Sequence, residues 1–436
     1  MKMNFQKGVL IATYRVRFVL VMLVLVVSTH YYIESVFFDD GEISYTRMSP
    51  SQEHSMASVY QQVYNFEEIQ ARNTERMKFV KQQCYSSVQN LNENERYMHG
   101  NLSKDILRLL TTPNQSILYC RVSKAGSTYT LITLNQTFDC DYNCLVNSSQ
   151  RIWVLPYEKK KIEIRNVYKF LFVREPYGRL FSTYSNKFYF PKGNWHPIGT
   201  TIARTFRENP SNDSLKFGHD VKFSEFIRFV VEEFEVGHKM DVHIRPMAAT
   251  CDPCRYDFDF IGKLETMSSD FAYLKNEWKN RNIIKKSRED LGIKTNLFSA
   301  MNRLKFTLHR IKGSHIEIFN LYQRAWRYYQ ITAVISKHIG MPFSKNMTIK
   351  LREFKQKLEK AKQMSDVYNT TAVKAQRHEA MVQAYSTVPL KDLERLKTFV
   401  REDCLLFGYD ESPAWLFDRT LSTNATNTFN YFIGLD

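Results

Sequence analysis

Tyr168-Lys169-Phe170-Leu171-Phe172-Val173, followed at once by Arg174-Glu175-Pro176, constrains this chain more than any other stretch. The run Phe170 to Val173 is apolar without alternation, which suits a strand buried on both faces. Pro176 then fits the first turn of a helix, where its missing N–H is not needed. Leu180, Phe181, Tyr184 and Phe188 would hold that helix to the sheet. Arg174 stands at the strand end and can fork two donors onto phosphate oxygens. Ser182 lies six residues beyond Pro176, roughly 9 Å along a helix, and could share a phosphate with Arg174.

A matching site lies upstream. Ile117 to Val122 reads as a strand, followed by Ser123-Lys124-Ala125-Gly126-Ser127-Thr128. A small-residue turn between strand and helix can aim successive backbone N–H groups at an anion. Lys124 supplies a mobile cation, and Ser127 and Thr128 supply hydroxyl donors. The spacing is not that of a Walker A loop. Two strand ends, each followed by an anion-holding segment, point to a nucleotide with phosphates at both ends. A third strand is expected at Phe258 to Ile261. Phe223, Phe226, Ile227, Val230, Val231 and Phe234 share one helical face, with Ser224 as the expected N-cap. Apolar strands alternating with helices predict an α/β fold with a parallel sheet covered on both faces.

The chain has 61 Lys and Arg against 45 Asp and Glu among 436 residues, a formal net charge of +16. That balance favours polyanions, and location chooses among them. Residues 18–33 are predominantly apolar; at about 1.5 Å per residue they span roughly 24 Å, which suits a thin membrane. Lys2, Lys7, Arg15 and Arg17 precede this segment, and Glu34, Asp39, Asp40 and Glu42 follow it. Residues 1–17 therefore read as a cytosolic tail and the remainder as lumenal. With no clear Ala-x-Ala site, a transmembrane signal anchor is favoured over a cleaved peptide. Sequons at Asn101, Asn114, Asn135, Asn147, Asn212, Asn346, Asn369 and Asn424 agree with a lumenal chain. There the expected polyanion is an acidic glycan, not nucleic acid.

Residues 34–104 read as a stem, with some helix between Val59 and Val88; a helical N-terminal part of the domain is the alternative. Residues 275–395 read as basic and helical, either a solvated face or a wall of a groove for an anionic polymer. Residues 416–436 read as a C-terminal tail. Of the cysteines, Cys140/Cys144 and Cys251/Cys254 are close pairs, suited to local disulfides or a shared four-thiolate zinc site, with the compartment favouring disulfides. Cys120, inside a predicted strand, reads as a buried free thiol.

These segments together resemble the Golgi carbohydrate sulfotransferases that include the chondroitin and dermatan 4-O-sulfotransferases. The family's 5′-phosphosulfate motif resembles Tyr119 to Thr128, with Ser123 where most relatives have Pro and Tyr129-Thr130 where many have Asn-Trp. Its 3′-phosphate motif is closely similar to Phe170 to Phe188. Similarity resumes at His243-x-x-Pro246, Cys251-x-x-Cys254, Ile261-Gly262-Lys263-x-Glu265-Thr266 and Asp403-x-x-Leu406-Phe407-Gly408-Tyr409. Ile244 stands where relatives often have Trp, and the stretch between Asp270 and Asp403 is longer than usual.

The resemblance implies a P-loop-like sulfotransferase fold over residues 105–415, in a type II Golgi membrane protein. It implies 3′-phosphoadenosine 5′-phosphosulfate as donor and no metal. Ser123, Lys124, Ala125, Gly126, Ser127, Thr128 and Tyr129 are then expected at the 5′ end of the donor. Arg174, Glu175, Pro176, Arg179 and Ser182 are expected at the 3′ end. Lys124 would stabilise the leaving group, and His243 is the expected base, with Glu175 second. Lys263 and Glu265 read as structural. The implied acceptor is a glycosaminoglycan or another N-acetylgalactosamine-bearing glycan, with the 4-O position favoured. A non-catalytic lumenal glycan-binding protein on the same fold is the alternative.

Overall fold

In the computed structural model, which describes residues 64–86, 109–111, 116–138, 167–192, 197–238, 240–284, 299–367, 370–418 and 429–435, the apolar runs form one sheet. Its strands are β1 (Leu109–Thr111), β2 (Ile117–Cys120), β3 (Tyr168–Val173) and β4 (Phe260–Lys263), in that order across the sheet. β2, β3 and β4 run parallel; β1 pairs antiparallel at the edge. β3 has the expected bounds. β2 stops at Cys120 because the chain turns away towards Lys124. β4 starts later than expected because the Asp259 carboxylate instead accepts the Lys169 N–H at 2.7 Å.

Apart from Ser299 and Ala300, every described residue belongs to the compact unit of residues 45–294 and 301–436. Its helices are α1 (Phe66–Ser86), α2 (Ser127–Thr137), α3 (Pro176–Tyr184), α4 (Ile198–Phe206), α5 (Asn212–Phe217), α6 (Phe223–Val236), α7 (Met247–Cys251) and α8 (Met267–Asn280). They continue as α9 (Ser299–Arg310), α10 (Ile318–Ile331), α11 (Leu351–Val367), α12 (Thr370–Ser386), α13 (Leu390–Phe407) and α14 (Ala414–Phe417). Much of 275–395 is thus helical.

The strands split their side chains by period two. Ile117, Tyr119, Tyr168, Phe170, Phe172 and Phe260 pack with Leu131 and Leu134 of α2 and Phe271, Leu274 and Trp278 of α8. Leu118, Cys120, Leu171, Val173 and Ile261 pack on the other face with α7 and with Leu406 and Phe407 of α13. A further cluster joins α3, α6, α12 and α13 through Tyr177, Leu180, Phe226, Tyr385 and Leu396. α6 begins at Phe223, so Ser224 lies inside the first turn and is not the cap. Lys222 takes the cap position, where its N–H donates to Glu225 at 2.8 Å.

Residues 66–86, read as part of a stem, pack against the sheet. Ile69 and Val80 are buried, and Arg72 and Arg76 reach Asp270 at 2.8 Å each. The tail is likewise anchored: the Tyr189 hydroxyl donates to the carbonyls of Tyr431 and Ile433. The disulfides join Cys84 to Cys254 and Cys120 to Cys251. They overturn a local Cys251/Cys254 bond, a zinc site using that pair and a free Cys120 thiol. Asp252, between Cys251 and Cys254, has a left-handed φ of 45°, and these two cysteines go to different partners. Cys404 is the buried free thiol among the described residues. Asn135 is buried on α2, which removes its sequon from the accessible set.

The apolar segment 18–33, the tail before it and the Cys140/Cys144 pair lie outside the described residues. No helix among the described residues is long and apolar enough to cross a membrane.

Candidate active site

β2 leads into a turn with two left-handed residues, Lys124 at φ 65° and Gly126 at φ 80°. Glycine suits the left-handed φ of Gly126, and a Cβ there would also push the end of the Met267 side chain, 2.5 Å away, aside. The Lys124 carbonyl accepts a hydrogen bond from Arg174 Nη1 at 3.1 Å. Its ammonium donates to Asn186 Oδ1 at 2.5 Å, and Lys192 donates to the same oxygen at 3.0 Å. The Asn186 amide in turn donates to the Tyr328 hydroxyl at 2.9 Å. The lysine-bearing turn and the strand-end arginine are therefore in direct contact.

α3 aligns the other groups. A Cβ on Gly178 would sit 3.4 Å from Arg174 Nη2, so the guanidinium lies over that helix face. Ser182 is four residues on, on the same face, and is the residue of α3 that is not buried. Asn186 follows within the π-turn Ser185–Tyr189, a departure from α geometry of the kind found at functional sites.

The charge balance is strongly positive. Arg174 is buried, and burial first, then Arg377, lowers its pKa to about 9. Arg377 on α12 is solvent-exposed, yet the surrounding protein depresses its own pKa. Its charge acts on Arg174 across the space between α12 and the strand end. Lys187 is driven well down by burial and by Lys192 and Arg303. Glu175 and Glu265 oppose these cations near Arg174. A multiply charged anion would relieve the remaining repulsion.

Other expected residues have different tasks. Glu175 caps α3, accepting from the N–H groups of Tyr177 and Gly178, so its carboxylate is not aimed at a ligand. Its own N–H donates to Glu265 at 3.0 Å. Arg179, expected at the donor, is 2% exposed and donates to the carbonyls of Ser123, His243, Ile244 and Arg245. It ties the lysine turn to the His243 segment instead. Pro176 is buried at the helix start, and Ala125 is buried in the core. Tyr129 packs against Phe271 at 5.4 Å between ring centroids. Ser123 and Ser127 are buried and Thr128 is half-buried at the turn.

His243 Nδ1 lies 2.7 Å from Asp241 Oδ1, which also accepts the His243 N–H at 2.8 Å. An ionised Asp241 fixes the proton on Nδ1 and leaves Nε2 as an acceptor. Burial, then the charges of Lys187 and Lys124, hold the imidazole below its ordinary range. Asp403 holds the same segment by accepting the N–H groups of Met247 and Ala248 at 2.9 and 2.8 Å. Lys263 lies 4.1 Å from the Tyr409 ring centroid, and Tyr409 donates to Glu265 at 3.1 Å; Glu265 in turn accepts the Glu175 N–H.

Sequence reasoning missed Asn186, Lys192, Asp241, Tyr328 and Arg377. The spacing of Gly178, Ser182 and Asn186 was a readable signal, as was Asp241-x-His243. Tyr328 and Arg377 sit on ordinary amphipathic helices and carry none.

Residues 107–290 match the sulfotransferase family. Carbohydrate sulfotransferase 8 of Homo sapiens is 32% identical over 178 residues, covering 38% of this chain and 42% of that protein. Carbohydrate sulfotransferase 9 of Homo sapiens is 34% identical over 185 residues, 40% of this chain and 41% of that protein. Carbohydrate sulfotransferase 14 of Danio rerio is 38% identical over 120 residues, 28% and 32% respectively. The chain thus spans less than half the length of these curated relatives. The resemblance read from the motifs holds, and the matched residues contain Lys124, Arg174, Ser182 and His243. No solved structure matches the chain significantly.

Proposed function

We propose that this protein transfers a sulfuryl group from 3′-phosphoadenosine 5′-phosphosulfate to a glycan hydroxyl, on a P-loop-like sulfotransferase fold. The observation that carries the reading is the Arg174–Lys124 contact of 3.1 Å, which lets one nucleotide, anionic at both its 3′ and 5′ ends, engage both segments. The cluster of cations near it, Arg377 acting on Arg174 and Lys192 and Arg303 acting on Lys187, fits such a donor.

Arg174 and Ser182 hold the 3′-phosphate. Lys124 and the turn N–H groups hold the 5′ end, and Lys124 stabilises charge on the oxygen that leaves. Bound there, the donor supplies a sulfuryl group attached to a phosphate leaving group. His243 takes the acceptor proton at Nε2. Arg179, Asp241 and Asp403 act as positioning residues. The net charge of +16 and the motif resemblance support an acidic glycosaminoglycan or an N-acetylgalactosamine-bearing acceptor, sulfated at the 4-O position. They also support a lumenal Golgi domain on a signal anchor. The Asp241–His243 pair beside Lys124 favours catalysis over glycan binding alone.

Incubation with radiolabelled donor and a panel including desulfated chondroitin should label a glycan. Donor binding with no transfer to any member would refute the enzymatic reading.

His243 gives a pH prediction. Because its folded pKa is depressed, the imidazole stays neutral as pH falls through about 6.5, the unfolded value. Transfer should therefore persist to about pH 5.5; a rate that halves near pH 6.5 would contradict a neutral, half-buried base. The same sign makes stability decline below about pH 6.5, since only the unfolded chain takes up this proton.

A further inference from the structure

Two ammonium groups converge on one neutral oxygen in this site. Lys124 and Lys192 donate to Asn186 Oδ1 at 2.5 and 3.0 Å. Lys192 is 3% exposed, so its charge is largely removed from water. An amide oxygen satisfies a hydrogen bond from each lysine but neutralises neither. The Tyr328 hydroxyl, 2.9 Å from the amide nitrogen, fixes how Asn186 points. Lys192 and Arg303 both add positive potential at neighbouring Lys187, and Asp241 opposes it there. The carbonyl occupies the position, between two cations, that an anionic oxygen would fill more favourably.

We propose that Lys192 is a second donor-binding cation, and that Asn186 holds Lys124 and Lys192 together in the ligand-free protein as an internal substitute for the donor's phosphosulfate end. Lys124 then faces the leaving phosphate oxygen and Lys192 the transferring sulfuryl group. As the acceptor O–S bond forms, the bond from sulfur to the 5′-phosphate oxygen breaks. The electron pair leaves on that phosphate, and the hydroxyl proton passes to His243. This inference rests on the donor reading above and adds a residue whose role is specific to the sulfuryl group.

The test uses the full chain with 3′,5′-bisphosphoadenosine, which lacks the sulfuryl group, and with the labelled donor. Lys192→Met should lower kcat by roughly 30-fold or more, with bisphosphate affinity changed by less than about threefold. Lys192→Arg should restore much of the rate. Asn186→Asp places a full negative charge between the lysines. It should hold or raise the melting temperature while weakening bisphosphate binding by about tenfold or more. A Lys192→Met kcat within about threefold of wild type, or an Asn186→Asp variant that binds bisphosphate like wild type, overturns the proposal. If the wild-type chain fails to bind bisphosphate, the donor reading itself fails, a result separate from either variant outcome.

Discussion

Replacing Lys124 with Met should reduce sulfuryl transfer by about 10²- to 10³-fold, the loss expected when a charge-stabilising group is removed from the reacting centre. The ordinary objection is that such a variant is damaged. Lys124 answers it through its backbone. It is a non-glycine residue at φ 65°, a conformation costing a side-chain-bearing residue roughly 1–2 kcal/mol relative to glycine. Lys124→Gly relieves that strain while removing the ammonium. Its melting temperature should match or exceed that of Lys124→Met, and transfer should stay equally low. Activity in Lys124→Gly within about tenfold of wild type would remove Lys124 from the reaction.

Asp270→Ala should have the largest effect on stability. The carboxylate is fully buried and accepts from Arg72 and Arg76 at 2.8 Å each, from the Lys263 N–H at 3.0 Å and from the Thr266 hydroxyl at 2.7 Å. Four donors from α1, β4 and the turn before α8 thus meet on one side chain. Its removal leaves two guanidiniums without their counter-ion, and the side chain of Arg76 is only 13% exposed. Breaking a buried pair from one side costs about 3–5 kcal/mol, which for a domain of this size lowers the melting temperature by about 10 °C. Asp270→Asn keeps part of the hydrogen bonding and should lose less. A fall below about 2 °C for Asp270→Ala would show that α1 is held by its apolar contacts and its disulfide alone.

What could be read in the sequence followed from local physics. β3 was legible residue by residue because an unbroken apolar run bounded by Arg174 has few other solutions. The nearness of Lys124 to Arg174 was legible because strand ends followed by donor-rich turns on neighbouring parallel strands come together. β1 was not, because a three-residue edge strand has no periodicity to detect. The disulfides were misread because nearness in sequence suggested pairing, whereas the true partners lie 131 and 170 residues apart. Glu175 and Arg179 were assigned to the ligand although their charges cap a helix and bind carbonyls. Tyr328 meets Asn186 and Arg377 acts on Arg174 only through tertiary packing: Tyr385 on α12 donates to the Tyr177 carbonyl at 2.9 Å and sets α12 against α3.

The two-ended grip on the nucleotide is tested most directly by comparing the affinities of 3′,5′-bisphosphoadenosine, adenosine 5′-phosphate and adenosine 3′-phosphate. The bisphosphate should bind about tenfold or more tightly than either monophosphate. Arg174→Ala should erase its advantage over the 5′-phosphate, and Lys124→Met its advantage over the 3′-phosphate. Equal affinity of the wild-type chain for all three nucleotides would contradict a shared site.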